Sequence, residues 1–194
     1  MATRPQRRAD NDRLTPFVPL AACCQCLSMP QYLNQILSSQ FEASLCMMHH
    51  CIKACPPKQW EGKIANATFR QVAYHTLFFV DLYLSPSAES FELRDLHRRG
   101  GDERGPTVSR GLSKRETLSY LSICREKAID KLATESAKIL QGPSGFRKFS
   151  RAELHIYNIR HIQHHTGQLS AYLRRVDPTL TDSKTLPWVG SGWR

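Results

Sequence analysis

The sequence has no apolar run of about 18 residues or more, so no membrane-spanning helix is expected. No secretory leader of the usual kind is expected either. Leu20-Ala21-Ala22-Cys23 superficially matches a lipoprotein cleavage site, but the apolar run before it spans only Phe17 to Ala22 with Pro19 inside, and Asp10 and Asp12 spoil the basic region. Nor do the cysteines form a framework. Seven of them, an odd number, are scattered as Cys23, Cys24, Cys26, Cys46, Cys51, Cys55 and Cys124, which excludes a small disulfide scaffold. Cys23-Cys24-Gln25-Cys26 could grip a soft metal, yet no second half-site follows at zinc-ribbon spacing. Reduced thiols in a cytoplasmic protein account for the set, with Cys55 on the apolar face of its helix and Cys46 and Cys51 off the core line.

No nucleic-acid module accompanies the formal charge of +10. The excess sits in Arg4, Arg7, Arg8 and Arg13 near the start, and in Arg94, Arg98, Arg99, Arg104 and Arg110 of one long loop. Charge on tails and loops is ordinarily solvated, so neither a nucleic-acid nor a membrane partner is expected. What remains is 194 residues with 41% hydrophobic content, enough for one domain with a real core. Residues 1–29 read as a disordered or mis-started basic extension, 30–178 as the folded domain, and 179–194 as a tail that packs its Trp188 and Trp193 on it.

Helical periodicity dominates the domain. Leu37, Phe41, Leu45, Met48, Ile52 and Cys55 alternate steps of four and three, the seam of a bundle helix from Gln31 to Cys55. His49 and His50 fall off that seam and read as surface residues. Pro56-Pro57 ends the helix, and Trp60 in the following linker is expected to fold back as a lid. Thr68 and Gln71 form a capping box for a second helix, Phe69 to Leu84, apolar nearly all round. A loop to Leu112 follows, longer than the ~15 residues at which loops are usually functional or mobile. Ser113 and Glu116 cap a third helix to about Leu140, with Leu118, Leu121, Ala128 and Leu132 as its seam. Ser150 and Glu153 cap a fourth, which runs to Val176 before Asp177-Pro178. The result is an all-α chain, a four-helix bundle.

The fourth helix carries Arg160-His161-Ile162-Gln163-His164-His165-Thr166-Gly167-Gln168-Leu169. At about 100° per residue, Leu154, Asn158, His161, His165, Leu169 and Tyr172 share one inward face. His161 and His165 are neighbours one turn apart, while His164 points away with Tyr157, Arg160 and Ala171. Two imidazoles at this spacing can reach a single ion. Two buried histidines satisfied by hydrogen bonds would fit the same pattern. His75, flanked by Val72 and Phe78 and one turn before Phe79, supplies a third imidazole from the second helix.

These two stretches, Phe69 to Leu84 and Arg160 to Leu169, resemble the DinB-like (DinB/YfiT) superfamily, over about Gln31 to Val176. The resemblance implies a DinB/YfiT-like bundle in which one histidine of the second helix and a His-x-x-x-His pair of the fourth bind a divalent metal. The matching positions are His75, His161 and His165, with zinc or nickel the expected ion. Asn158 and Gln168 are the candidates to hydrogen-bond the ligands or a bound substrate. Three imidazoles leave one position of a tetrahedral ion open, and no His-Glu-x-x-His glutamate is present, since Gln163 stands between the ligands. Asp81 lies off the face of His75. The expectation is therefore a metal-dependent enzyme acting on a small molecule, with transfer of a low-molecular-weight thiol favoured and hydrolysis possible. The alternative is a non-catalytic metal-binding or structural stress-associated bundle. Either form is expected to allow a homodimer.

Overall fold

The computed structural model describes residues 28–94, 96–97, 111–181 and 184–193. The basic extension up to residue 27, with its three cysteines, and Arg98, Arg99, Arg104 and Arg110 of the long loop lie outside the described residues. The helices are α1 (Met29–Ala54), α2 (Phe69–Tyr83), α3 (Lys114–Thr134), α4 (Ala137–Gln141) and α5 (Arg151–Val176). One antiparallel ribbon pairs β1 (Lys63–Ile64) with β2 (Ala67–Thr68). Among the described residues no helix is long and apolar enough to cross a membrane.

Each long helix starts where its sequence supplies a cap. Ser28, Thr68, Ser113 and Ser150 each form a capping box with the Gln or Glu three residues on. These side chains satisfy amide donors that a helix start otherwise leaves without partners. α1 packs against α3 and α5, and α2 packs against α5 and α3. The predicted seam of α1 is fully buried from Leu37 to Cys55. Because α1 has neighbours on two sides and the C-terminal residues Val189 and Trp193 on a third, burial extends beyond the seam. Cys46 and Cys51, expected off the core line, are both buried. His49 and His50 are only half-exposed, and the His49 ring lies 5.4 Å from that of Trp193.

The third helix differs from its expected length. It ends at Thr134, whose hydroxyl turns back on the carbonyls of Asp130 and Lys131. Glu135 is extended, and Ser136 caps the separate short α4 by accepting from the Ile139 amide. The break aims Glu135 at the first turns of α5. The α3 seam is correspondingly shifted: Leu121, Ala128 and Leu132 are buried, but Leu118 is only half-buried while Thr117, Tyr120 and Cys124 face inward. The linker after α1 is more structured than a plain connection. Trp60 packs on Phe69 with ring centroids 5.5 Å apart, and its indole N–H donates to the Leu112 carbonyl at 3.1 Å.

Two buried carboxylates hold the C-terminal end of α2. Asp81 Oδ1 accepts from Lys127 Nζ at 2.6 Å, and its Oδ2 accepts from Arg94 Nε at 2.9 Å and from the Tyr120 hydroxyl at 3.2 Å. Burial would push this carboxyl upward, but the hydrogen bonds and charges of Arg94 and Lys127 outweigh that and hold it below the usual range. Glu135 accepts from His155 Nε2 at 2.6 Å and from Arg151 Nε at 3.0 Å. Here too burial raises the carboxyl, and His155 together with Arg151 lowers it further than burial lifts it. Arg151 also donates to the carbonyls of Tyr83, Leu84 and Ser85, which end α2 without helical partners.

Gly145 closes the turn before α5 in the left-handed region, at φ 78°, and a Cβ there would meet the Pro86 carbonyl oxygen. Strained backbone and a steric clash act together. Gly145→Ala is expected to cost about 1–3 kcal/mol in urea unfolding; a variant as stable as the parent would show that the turn relaxes freely.

Candidate metal centre

His161 and His165 sit one turn apart on α5 because an uninterrupted helix carries them, from the Ser150 cap to the stop at Asp177-Pro178. His75 arrives from the second turn of α2, which packs directly on α5. The three rings form one cluster, with centroid separations of 4.5 Å for His161–His165, 5.1 Å for His75–His165 and 5.4 Å for His75–His161. Phe79 closes one flank, 4.8 Å from His75 and 5.7 Å from His161. His165 is buried, whereas His75 and His161 are half-buried.

One potential ligand atom from each of the three lies within 4.8 Å of the other two. The α5 pair is tighter: Nε2 of His161 and Nε2 of His165 are 3.1 Å apart. Two nitrogens bound to one tetrahedral zinc at its usual bond length are about 3.4 Å apart. The α5 pair therefore already stands near ligating separation, and the wider spacing of His75 is of a size that a small side-chain torsion covers.

The contact with Gln168 assigns the ring nitrogens of His165. Its Nδ1 lies 2.8 Å from Gln168 Oε1, an acceptor, so Nδ1 carries the proton and Nε2 presents a lone pair to the cluster. The Gln168 amide nitrogen in turn donates to His164 Nε2 at 3.2 Å. Gln168, a candidate to hydrogen-bond a ligand, stands against His165. His164, exposed as predicted, supports the glutamine that orients its neighbour. Asn158 is fully buried on the same face, but its amide donates to the Val80 carbonyl at 3.4 Å rather than to a cluster imidazole.

Among the described residues no Asp or Glu joins the cluster. Asp81 is committed to Lys127, Arg94 and Tyr120. The arrangement can accept a cation on neutral imidazoles and offers no carboxylate as a general base. Sequence reasoning passed over His155 and His97, which belong to the buried carboxylate networks rather than to this cluster. His155 stands four residues after Arg151 on α5, where an i, i+4 pairing could have marked a shared partner. Comparison with known proteins returned nothing: no family model, no curated protein and no solved structure matches the chain.

Proposed function

We propose that His75, His161 and His165 hold one divalent metal ion, zinc or nickel, in a four-helix bundle of DinB/YfiT type, and that the site activates a small thiol. The observation that carries this is the 3.1 Å Nε2–Nε2 approach of His161 and His165 beside a His165 proton fixed on Nδ1 by Gln168. A close pair of imidazoles, one of them buried with its outer nitrogen held by a hydrogen bond, suits ligation. An ion on three imidazoles supplies Lewis acidity, lowering the pKa of a water or thiol in its open position. His75 and His161, both half-buried, stand where a small molecule can approach, and Phe79 shields the flank of both rings. Ile162, an apolar side chain, stands where metallohydrolases of the His-Glu-x-x-His kind carry their glutamate. Thiol activation needs no such base, because the metal itself favours the thiolate.

Cobalt substitution tests the reading. The protein purified without chelator or imidazole-binding tag is expected to carry about one divalent ion per chain, with occupancy falling as pH drops below about 6, where imidazoles protonate. With cobalt bound, a low-molecular-weight thiol at millimolar concentration should produce a sulfur-to-metal charge-transfer band that His161→Ala abolishes. If the cobalt spectrum ignores every thiol, transferase chemistry is ruled out and hydrolysis or a non-catalytic ion takes its place.

A further inference from the structure

A second site lies on the other flank of α5. A pocket of about 210 Å³ is bounded by α1, the second half of α5 and the strap 186–188, and no residue of α2 lines it. Its α5 wall is polar, with Gln163, Thr166, Ser170 and Arg174; Met47, Leu186 and Trp188 supply the apolar part.

Four features of these residues single out the pocket. Thr166 is 2% exposed and its hydroxyl has no hydrogen-bond partner. A helical threonine ordinarily bonds back to the carbonyl four residues earlier, as Thr76 does to Val72 and Thr117 to Ser113. Gly167 interrupts the middle of a 26-residue helix, where glycine is the poorest choice short of proline. Close packing does not demand it, since a Cβ there would meet nothing within 4 Å. Arg174 makes no ion pair among the described residues, and no acidic side chain lines the pocket. Trp188 is 82% exposed although Leu186 and Val189 on either side are buried, so the strap is anchored at both ends while presenting its indole to the pocket mouth.

We propose that this pocket binds a small ring-bearing carboxylate, with the carboxylate on Arg174 and the ring against Trp188 and Leu186. The chemistry follows from the walls. A lone guanidinium selects a carboxylate, an exposed indole offers a stacking face, and the volume, below the roughly 300 Å³ where drug-sized sites begin, fits a single ring. Binding here is non-covalent. Cys51, the thiol in the wall, is buried and donates to the Thr166 carbonyl at 4.0 Å, and burial pushes it up to about 12, far from a thiolate at neutral pH.

The probe is 4-hydroxyphenylacetate, titrated into the full chain and followed by calorimetry and by amide and indole proton NMR. Saturation at millimolar concentration is expected, with shifts at the Trp188 indole N–H and the Thr166 and Gly167 amides. The neutral 4-hydroxyphenylacetamide should bind about tenfold more weakly, as loss of one charge-assisted hydrogen bond requires. Gly167→Leu, which fills the pocket, should abolish binding; Arg174→Gln, a surface change that leaves folding intact by circular dichroism, should weaken it about as much as the amide does. His75→Ala should leave it unchanged, which separates this site from the metal centre. Failure to saturate, equal affinity for acid and amide, wild-type affinity in Arg174→Gln, or shifts confined to a separate apolar groove between α1 and α4, lined by Met29, Tyr32, Ile36 and Leu140, would each overturn the proposal.

Discussion

His75→Ala, His161→Ala and His165→Ala are each expected to lose metal affinity by more than about 100-fold, the upper range for disturbing only the groups behind metal ligands. Each removes one of three donors, and two imidazoles with two solvent ligands cannot match the set. Gln168→Leu should fall within about 10–100-fold, because it leaves His165 Nε2 in place but releases the proton on Nδ1 to either nitrogen. His164→Ala and His49→Ala should keep the ion. His164 meets the cluster through the Gln168 amide and an edge-on ring contact with His165 but is not one of the three grouped ligands, and the ring contacts of His49 are with His50 and Trp193. Elemental analysis after dialysis against a weak chelator reads the order directly. Metal retained by all three alanine variants would end the assignment. Wild-type affinity in Gln168→Leu would show that the preset tautomer contributes nothing.

Arg151→Ala, at the start of α5 against the C-terminal end of α2, should destabilise the fold by about 3–5 kcal/mol, the range for breaking one partner out of a buried ion pair. Arg151 is 4% exposed, and its loss strands Glu135, which is 8% exposed, with His155 alone. It also leaves the carbonyls of Tyr83, Leu84 and Ser85 without their donor. At about 2–4 °C per kcal/mol for a chain of this size, the melting temperature should drop by about 10 °C. Calorimetry checks this, and the pH dependence supplies a second reading. A carboxyl held below its ordinary range stabilises the fold above the unfolded pKa, and that contribution is lost as pH falls through the folded value. The parent should therefore lose stability below about pH 4.5 more steeply than the variant, whose Glu135 no longer has Arg151 to depress it. Parallel pH profiles would mean that Arg151 acts through packing alone.

The parts of this molecule that were legible in the sequence are those governed by local rules. Capping boxes at Thr68, Ser113 and Ser150 predicted three helix starts, and a step of four placed His161 and His165 on one face. His75 is brought beside that pair by the packing of α2 on α5, and its inward orientation was readable from Val72 and Phe78 around it. What stayed hidden depends on partners far away in the chain. Helical periodicity runs on through Thr134 and Glu135, so the end of α3 is set by the attraction of Glu135 for Arg151 and His155, which no window on α3 contains. Cys46 is buried because Val189 lies over it, and no rule of spacing on α1 foretells a strap from the other end of the sequence. Trp188 shows the converse. An indole near a terminus reads as a packing residue, yet only Trp193 of the pair packs, against His49 and Arg125.

Ser85, the residue just after the cap of α2, belongs to both buried charge networks. Its hydroxyl receives Lys127 Nζ at 2.8 Å on the Asp81 side, and its carbonyl receives Arg151 Nη1 at 2.9 Å on the Glu135 side. Two proton-binding carboxylates, one facing α3 and the other facing α5, therefore share a mechanical joint. Neither can be discharged without loosening the backbone that positions the other's cation. Proton uptake at the two sites is coupled through that joint, so acid should dissolve the α2–α3–α5 junction as a single cooperative event, with the free energies of the two sites failing to add.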